Sequence, residues 1–361
     1  MLDEMGRWQA YKVSSDASEL MPLAPAEVTF RSDEKIIFDD PFTLELLSSA
    51  PVRRLAGIGF LGAIDFIRHG SGRSAHRRRH NRLEHTLGVA RFAETYAREA
   101  GLSERRRRLL LAAALLHDVG HGPLSHTLEP VFAEAFDIDH HSMTRRIVRG
   151  ETRNGRDLQA FLRDADIDPD EVLAMIDGHH SGPDAFLFAG SINFDTLDGI
   201  SRSRAFMKPR AAPRSMLRAV RHWAQTGRAP LPEFDAFWTL KHDVYTLLIC
   251  GARGRLLDAV AQAYMRANID EFDAIDFGRS DVTLRKHHPK LFEVLGLVAS
   301  QRTSLKDHLP SSWMKEEVTV KDRAFTVRTD KGVNEPDQLD ARYTQSKFTK
   351  RISIEELIED L

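Results

Sequence analysis

A mainly α-helical fold with a small α+β tail is predicted by three features of the sequence. Helical periodicity prevails from about residue 40 to Leu309, the run Leu109 to Leu116 is apolar around its whole circumference, and strand-like segments are confined to the two ends. At 361 residues the chain has room for about two domains of ~150 residues and a sizeable core. Hydrophobic residues at 42% and charged ones at 29% are those of a globular protein, which argues against disorder. The longest apolar run is the octet Leu109 to Leu116, far short of the ~20 residues of a membrane helix. Cys250 is the single cysteine, so no intrachain disulfide can form. The acidic start Met1-Leu-Asp-Glu-Met-Gly reads as no secretory signal, and a reducing cytoplasm is the expected location, with no membrane partner.

Val28 to Asp39, with Arg-Ser-Asp-Glu between Val-Thr-Phe and Ile-Ile-Phe, reads as a short hairpin. In Leu83 to Ala97, positions 83, 87, 90 and 97 are apolar, and His85, Val89, Phe92 and Tyr96 form an adjoining stripe at helical spacing. His85 is therefore expected to point inward. The apolar octet predicts a central buried helix that delivers His117-Asp118 just before the breakers Gly120, Gly122 and Pro123. Prolines 209, 213, 230 and 232 mark a boundary after Lys208, followed by a strong apolar helix around Tyr245 to Tyr264. From Glu316, Val318-Thr-Val and Phe325-Thr-Val-Arg read as two strands and Ile352 to Leu361 as a terminal helix.

The net charge of −2 gives no global case for nucleic acid or an anionic surface, but the local distribution is uneven. Six arginines (68, 73, 77, 78, 79 and 82) fall in a stretch without a carboxylate, Arg105 to Arg108 add four, and eleven of sixteen histidines lie between His69 and His180. Such arginines suit anionic ligands or form a solvated loop.

A His-Asp dipeptide proves little alone, since His242-Asp243 is also present; context separates the two. Imidazole and carboxylate together suit a divalent metal, and adjacent residues at a helix end can both reach one ion. His85 can supply a third ligand. Asp195 can supply a fourth, Ser191 being read as the helix cap that places it in the first turns. Two histidines and two carboxylates leave coordination positions for water and substrate.

The order and flanks of these residues resemble the HD-domain metal phosphohydrolase superfamily, nearest the branch of SAM-and-HD-domain deoxynucleotide triphosphohydrolases and bacterial dGTP triphosphohydrolases. The resemblance rests on Arg53-Arg-Leu-Ala-Gly-Ile58, His80-Asn-Arg-Leu-Glu-His-Thr-Leu-Gly88, Leu116-His-Asp-Val-Gly-His-Gly-Pro-Leu-Ser-His126 and Phe194-Asp-Thr-Leu-Asp198, within about Asp40 to Tyr264. It implies a helical bundle around a metal held by His85, His117, Asp118 and Asp195. It further implies that Arg82 binds substrate phosphate, that His121 and His126 line the phosphate path with Glu129 orienting one of them, and that His140 or His141 protonates the leaving group. The cation is Mn, Fe, Zn, Ni or Mg. A second metal would draw on His141, His179 and His180, Asp177-Gly-His-His-Ser-Gly182 being otherwise an exposed polar turn. The organisation reads as an N-terminal arm (1–50), a catalytic core (51–210), a helical subdomain (211–310) and an α+β tail (311–361), in a homo-oligomer.

Departures from the branch concern specificity. Phe60 replaces a sugar-recognising glutamine before Leu61-Gly62, and Thr196, Gly199 and Ser203 stand where lysine, tyrosine and aspartate meet the nucleotide. Lys241 or Arg253 can supply replacement phosphate contacts. The expected function is metal-dependent hydrolysis of a nucleotide or related phosphorylated small molecule. Two alternatives remain open at this level: an HD module that senses a nucleotide without cleaving it, and nucleic-acid binding through the Arg68 to Arg82 loop, with steep salt dependence.

Overall fold

The structure, a computed structural model, describes residues 26–28, 36–38, 40–67, 79–180, 184, 186–207, 216–300, 305–333 and 338–361. It is mainly helical, with one short hairpin near the N-terminus and one long hairpin near the C-terminus. None of the described helices is long and apolar enough to cross a membrane.

Strands β1 (Ala26–Val28) and β2 (Ile36–Phe38) pair antiparallel, Val28 opposite Ile36. Of the strand expected at Val28-Thr-Phe, Val28 lies in β1, and Thr29 and Phe30 lie outside the described residues. The helix Arg82–Glu99 opens on a capping box, in which Asn81 accepts from the Glu84 amide at 2.8 Å and Glu84 accepts from the Asn81 amide at 3.3 Å. It packs on the helix Glu104–Leu116, whose residues Leu109 to Leu116 are all fully buried. At about 1.5–3 kcal/mol for each buried leucine, this octet anchors the bundle and fixes where the residues after it emerge.

Two apolar cores result. One gathers the helices Arg82–Glu99, Glu104–Leu116, Met216–Thr226 and Leu231–Val244; the other is built on Ala252–Ala267 and Pro289–Ser300. The loop after Leu116 runs between them, Val119 in the first and Leu124 in the second. The apolar helix expected over Tyr245 to Tyr264 is broken: Leu231–Val244 passes into a π-helical turn at Tyr245–Ile249, and a new helix, Ala252–Ala267, starts after Gly251. A Cβ at Gly254 would come within 2.6 Å of the Leu248 carbonyl oxygen, so the sharp join needs glycine there.

The two strands expected in the tail are one. β3 (Glu317–Val327) runs unbroken through Lys321–Ala324 because it pairs along its whole length with β4 (Tyr343–Ser353), a strand whose polar sequence hid it. The ribbon straddles both cores: Phe325 and Tyr343 enter the first, and Val318, Val320 and Ile352 enter the second. The terminal helix Ile354–Glu359 starts on a Ser353/Glu356 capping box.

Thr127, just past the inter-core loop, ties that loop to the second core. Its hydroxyl accepts from the Ala63 amide at 2.9 Å and donates to Asp258 at 2.6 Å. Burial pushes the Asp258 carboxyl up to about 6, against the Thr127 hydrogen bond. An acid raised on folding stabilises the fold at low pH, and that contribution fades as pH climbs from its unfolded value of 3.8 toward about 6. Asp258→Asn, which keeps the acceptor without the charge, is expected to be more stable than wild type by about 1–2 kcal/mol at about pH 8 and equal to it near pH 4. Thermal melts across that range check the sign.

Candidate metal centre

The end of the buried helix positions the first ligands. His117 closes the helix Glu104–Leu116, and its Nδ1 lies 2.9 Å from the Ala114 carbonyl oxygen, so that ring nitrogen donates and Nε2 is turned outward. His85, one turn into its own helix, is fully buried, and its Nδ1 lies 2.8 Å from Asp198 Oδ2. Both rings are therefore fixed by their Nδ1 atoms, with Nε2 atoms facing each other at 3.3 Å. Carboxylates close the set: Asp118 Oδ2 lies 3.6 Å from His85 Nε2, Asp118 Oδ1 3.5 Å from His117 Nε2, and Asp195 Oδ1 3.1 Å from His85 Nε2.

These separations test whether a cation fits. Bonds of about 2.1 Å place neighbouring donors about 3.0 Å apart at right angles and about 3.4 Å apart at tetrahedral angles. The observed 3.1 to 3.6 Å are the edges of such a polyhedron, and the ligand atoms of His85, His117 and Asp118 all lie within 4.8 Å of one another. Charge points the same way. Burial disfavours a charged His85, yet Asp195 and Asp198 prevail and push it up to about 9. The pocket demands positive charge, and a proton on His85 Nε2 holds the place a divalent cation would take. Asp195, in the first turn of the helix Phe194–Met207, has a half-exposed side chain, so the set opens to solvent on that side. Its cap is Asn193, whose side chain accepts from the Thr196 amide at 2.8 Å; Ser191, expected in that role, instead binds Asp340 and the Tyr343 carbonyl.

Asp198 carries a role that the motif did not assign. It accepts from His85 and pairs with Arg202, whose guanidinium also reaches the Glu84 carbonyl. A Cβ at Gly88 would fall 1.9 Å from Asp198 Oδ1, so glycine there admits the carboxylate to the His85 helix. The signal was the spacing, since residues 195 and 198 share one helix face.

Arg82 is buried beside the ligands. Its Nη1 donates to Asp118 Oδ2 at 2.8 Å and its Nε to Ser125 at 2.9 Å, while Nη2 has no hydrogen-bond partner among the described residues. Ser125 sits in a left-handed turn with Leu124 (φ 51° and 56°), a strained conformation that presents its hydroxyl to Arg82 and to the Gly59 carbonyl. Arg54 pins the same loop through the Val119 and His121 carbonyls at 2.9 and 2.6 Å. Phe60, the residue replacing the family glutamine, lies against His85 (4.7 Å between centroids) and under the Arg82 guanidinium.

A second constellation adjoins the first. The ligand-type atoms of His121, His126, Glu129 and His140 lie within 4.8 Å of one another. Glu129 Oε2 is 2.7 Å from His140 Nδ1 and 3.7 Å from His126 Nδ1, and His140 stacks on His121 at 4.2 Å. Buried His121 contacts Asp118 through Nε2 at 3.2 Å and has no partner for Nδ1, and burial drives it well below the usual imidazole range. His140 comes this close because Gly120 has no side chain: a Cβ there would meet the His140 carbonyl at 2.1 Å. Against burial, His126 and His140 hold the Glu129 carboxyl far below its ordinary value.

Other sequence candidates are dispersed. His141 stacks on His140, His179 is exposed, and His180 is engaged by Arg106 and Glu171, so no cluster of His141, His179 and His180 forms among the described residues. Arg253 approaches the Ala299 carbonyl at 3.5 Å. Lys241 instead is buried, with Nζ over the faces of Trp238 (4.3 Å) and Phe325 (5.0 Å). Burial lowers it to about 8, partly offset by the charge of Asp195. Arg68, Arg73, Arg77 and Arg78 of the arginine-rich stretch lie outside the described residues, whereas Arg79 sits over Phe66 at 4.9 Å.

Residues 82–213 match the HD-domain family, over the same stretch that holds all four ligands. These residues form an HD domain. Among the relatives of its HD domain is an uncharacterized protein of Bacillus subtilis, 30% identical over 185 residues, covering 47% of this chain and 40% of that one. A deoxyguanosinetriphosphate triphosphohydrolase-like protein of Nitrobacter hamburgensis is 44% identical over 71 residues, 19% of this chain and 17% of its own. The chain thus spans less than half the length of these relatives. Its fold is similar to that of a hypothetical protein from Aquifex aeolicus, with a TM-score of 0.64 at 18% identity, covering 93% of this chain and 98% of that one.

Proposed function

We propose that this HD-domain protein is a metal-dependent phosphohydrolase acting on a nucleotide or related phosphorylated small molecule. The observation that carries the reading is the convergence of His85, His117 and Asp118 beside Arg82, with the half-exposed Asp195 on His85 Nε2. The triphosphohydrolase-like relatives support the substrate class. When bound, a divalent cation at this set supplies Lewis-acid polarisation of phosphate and makes water acidic enough to attack near neutral pH.

The chain's own residues do the rest. Asp198 and the Ala114 carbonyl hold the two imidazoles with Nε2 toward the cation. The open Nη2 of Arg82 supplies positive charge for a phosphoryl oxygen, and the Nζ of Lys241, unpaired among the described residues, is a second candidate cation. Glu129 accepts from His140 Nδ1 and so orients the ring; with both ring nitrogens protonated, the Nε2–H is the proton passed to the departing oxygen, and the ring is left as the Nδ1–H tautomer. His121 lies between that ring and Asp118, where its neutral state adds no repulsion to the phosphate-binding cations.

With Mn²⁺ added, the protein is expected to hydrolyse at least one of a panel of nucleoside and deoxynucleoside triphosphates, monophosphates and cyclic dinucleotides. His140→Gln is expected to lower kcat about 10²–10³-fold with KM nearly unchanged, the mark of a proton donor. Nucleotide binding without turnover would instead mark a sensor.

A further inference from the structure

The C-terminal hairpin is not a detached appendage: its middle lies along the helix that carries Lys241. Phe325 packs on Trp238 (5.4 Å) and Tyr245 (4.7 Å), its amide reaches His242 Nδ1 at 3.4 Å, and the Lys321 carbonyl accepts from Cys250 at 3.2 Å. This seats Arg323 over the Tyr245 ring at 5.3 Å, with Nη1 donating to the Tyr245 hydroxyl at 3.3 Å. Arg323 meets no carboxylate among the described residues, its neighbour Asp322 being taken by Arg255.

Lys241 shares this condition more severely. It is 6% exposed and its Nζ has neither hydrogen bond nor ion pair among the described residues, only the two aromatic faces. Lys241 Nζ lies over Phe325, Phe325 packs on Tyr245 and Arg323 lies over Tyr245, so the three polar groups surround one aromatic cluster, and the helix that carries Lys241 packs on the helix that carries Asp195, whose charge acts on both Lys241 and Tyr245. Two cations held close together, one buried, repel each other and lack a counter-charge. Asp195 cannot serve as that counter-charge once it ligates a cation. The electrostatic gap is filled by an anion entering from solvent.

We propose that Arg323 of the hairpin is a substrate-contacting residue of the HD site, forming with Lys241 and the Tyr245 hydroxyl a cationic wall that receives a phosphate of the substrate. This rests on the phosphohydrolase reading and extends it: the tail completes the active site. It also explains how a chain with Thr196 where the related branch has lysine still binds phosphate, by drawing the charge from a different part of the fold.

The test uses the full chain and inorganic pyrophosphate, titrated calorimetrically. Wild type is expected to bind it, Arg323→Ala to bind at least tenfold more weakly, Arg323→Lys to recover most of the affinity, and Arg351→Ala, an exposed charge on the same hairpin, to bind like wild type. Arg323→Lys separates lost charge from lost fold, and thermal melts of each variant accompany the titrations. No pyrophosphate binding by wild type, unaltered binding by Arg323→Ala, or equal weakening by Arg351→Ala would each overturn the proposal. Absence of hydrolysis on every substrate, with Arg323-dependent binding intact, would remove the phosphohydrolase reading and leave the anion site standing.

Discussion

Asp118→Ala is expected to abolish hydrolysis, by a factor of about 10³ or more, and to reduce the bound divalent metal below what elemental analysis detects. Asp118 joins four side chains of the site: one oxygen faces His117 and His121, the other faces Arg82 and His85. Its carboxyl is held well below the usual range, against burial, by His117, Arg82 and His121, which favours the charged form that a metal ligand needs. Removing it also leaves the Arg82 guanidinium buried and short of its carboxylate, which costs about 3–5 kcal/mol of stability in comparable pairs. Asp118→Asn keeps the shape and separates the two effects. It is expected to fold closer to wild type yet lose metal and activity as the alanine variant does.

Asp198→Ala should come second in size, although this residue touches neither metal nor substrate. His85 loses the acceptor that fixes its ring, and second-shell losses of this kind weaken metal binding about 10–100-fold. Arg202, also buried, loses its carboxylate and keeps only the Glu84 carbonyl and a contact with His80 at 3.2 Å. A stability loss of about 3 kcal/mol follows from that unpaired charge. Metal titration and thermal melts of the same preparation distinguish the two consequences. Excess metal is expected to restore most of the activity of Asp198→Ala and none of that of Asp118→Ala, which marks the former as a positioning residue.

How far the sequence carried this picture depended on the range of the interactions involved. The four candidate ligands were legible because each lies in a short motif whose local structure is set by nearby residues: the Asn81/Glu84 cap before His85, the apolar octet before His117, and the start of a helix at Asp195. The mainly helical class followed from the same periodicity. What local pattern could not supply was closure over distance. β4 is polar along most of its length and becomes a strand only by pairing with β3, so the tail read as two short strands rather than one long one. The helix across Tyr245 to Tyr264 broke because the π turn and Gly251 redirect the chain between two cores, a demand invisible to hydrophobic period. Of the two candidate phosphate cations, Lys241 lies over Trp238 and Phe325, whereas Arg253 reaches the Ala299 carbonyl, contacts that only the tertiary packing sets. Arg323 left no trace in the sequence pattern at all, since its place over Tyr245 depends on the packing of Phe325 on Trp238 and Tyr245.

Anomalous diffraction from crystals grown with Mn²⁺ addresses the metal centre without reference to any substrate. A single strong peak is expected within bonding distance, about 2.0–2.3 Å, of His85 Nε2, His117 Nε2, Asp118 and Asp195, with His85 Nδ1 still on Asp198. A peak confined to His121, His126, Glu129 and His140, with the first set empty at saturating metal, would contradict the ligand assignment and the chemistry built on it.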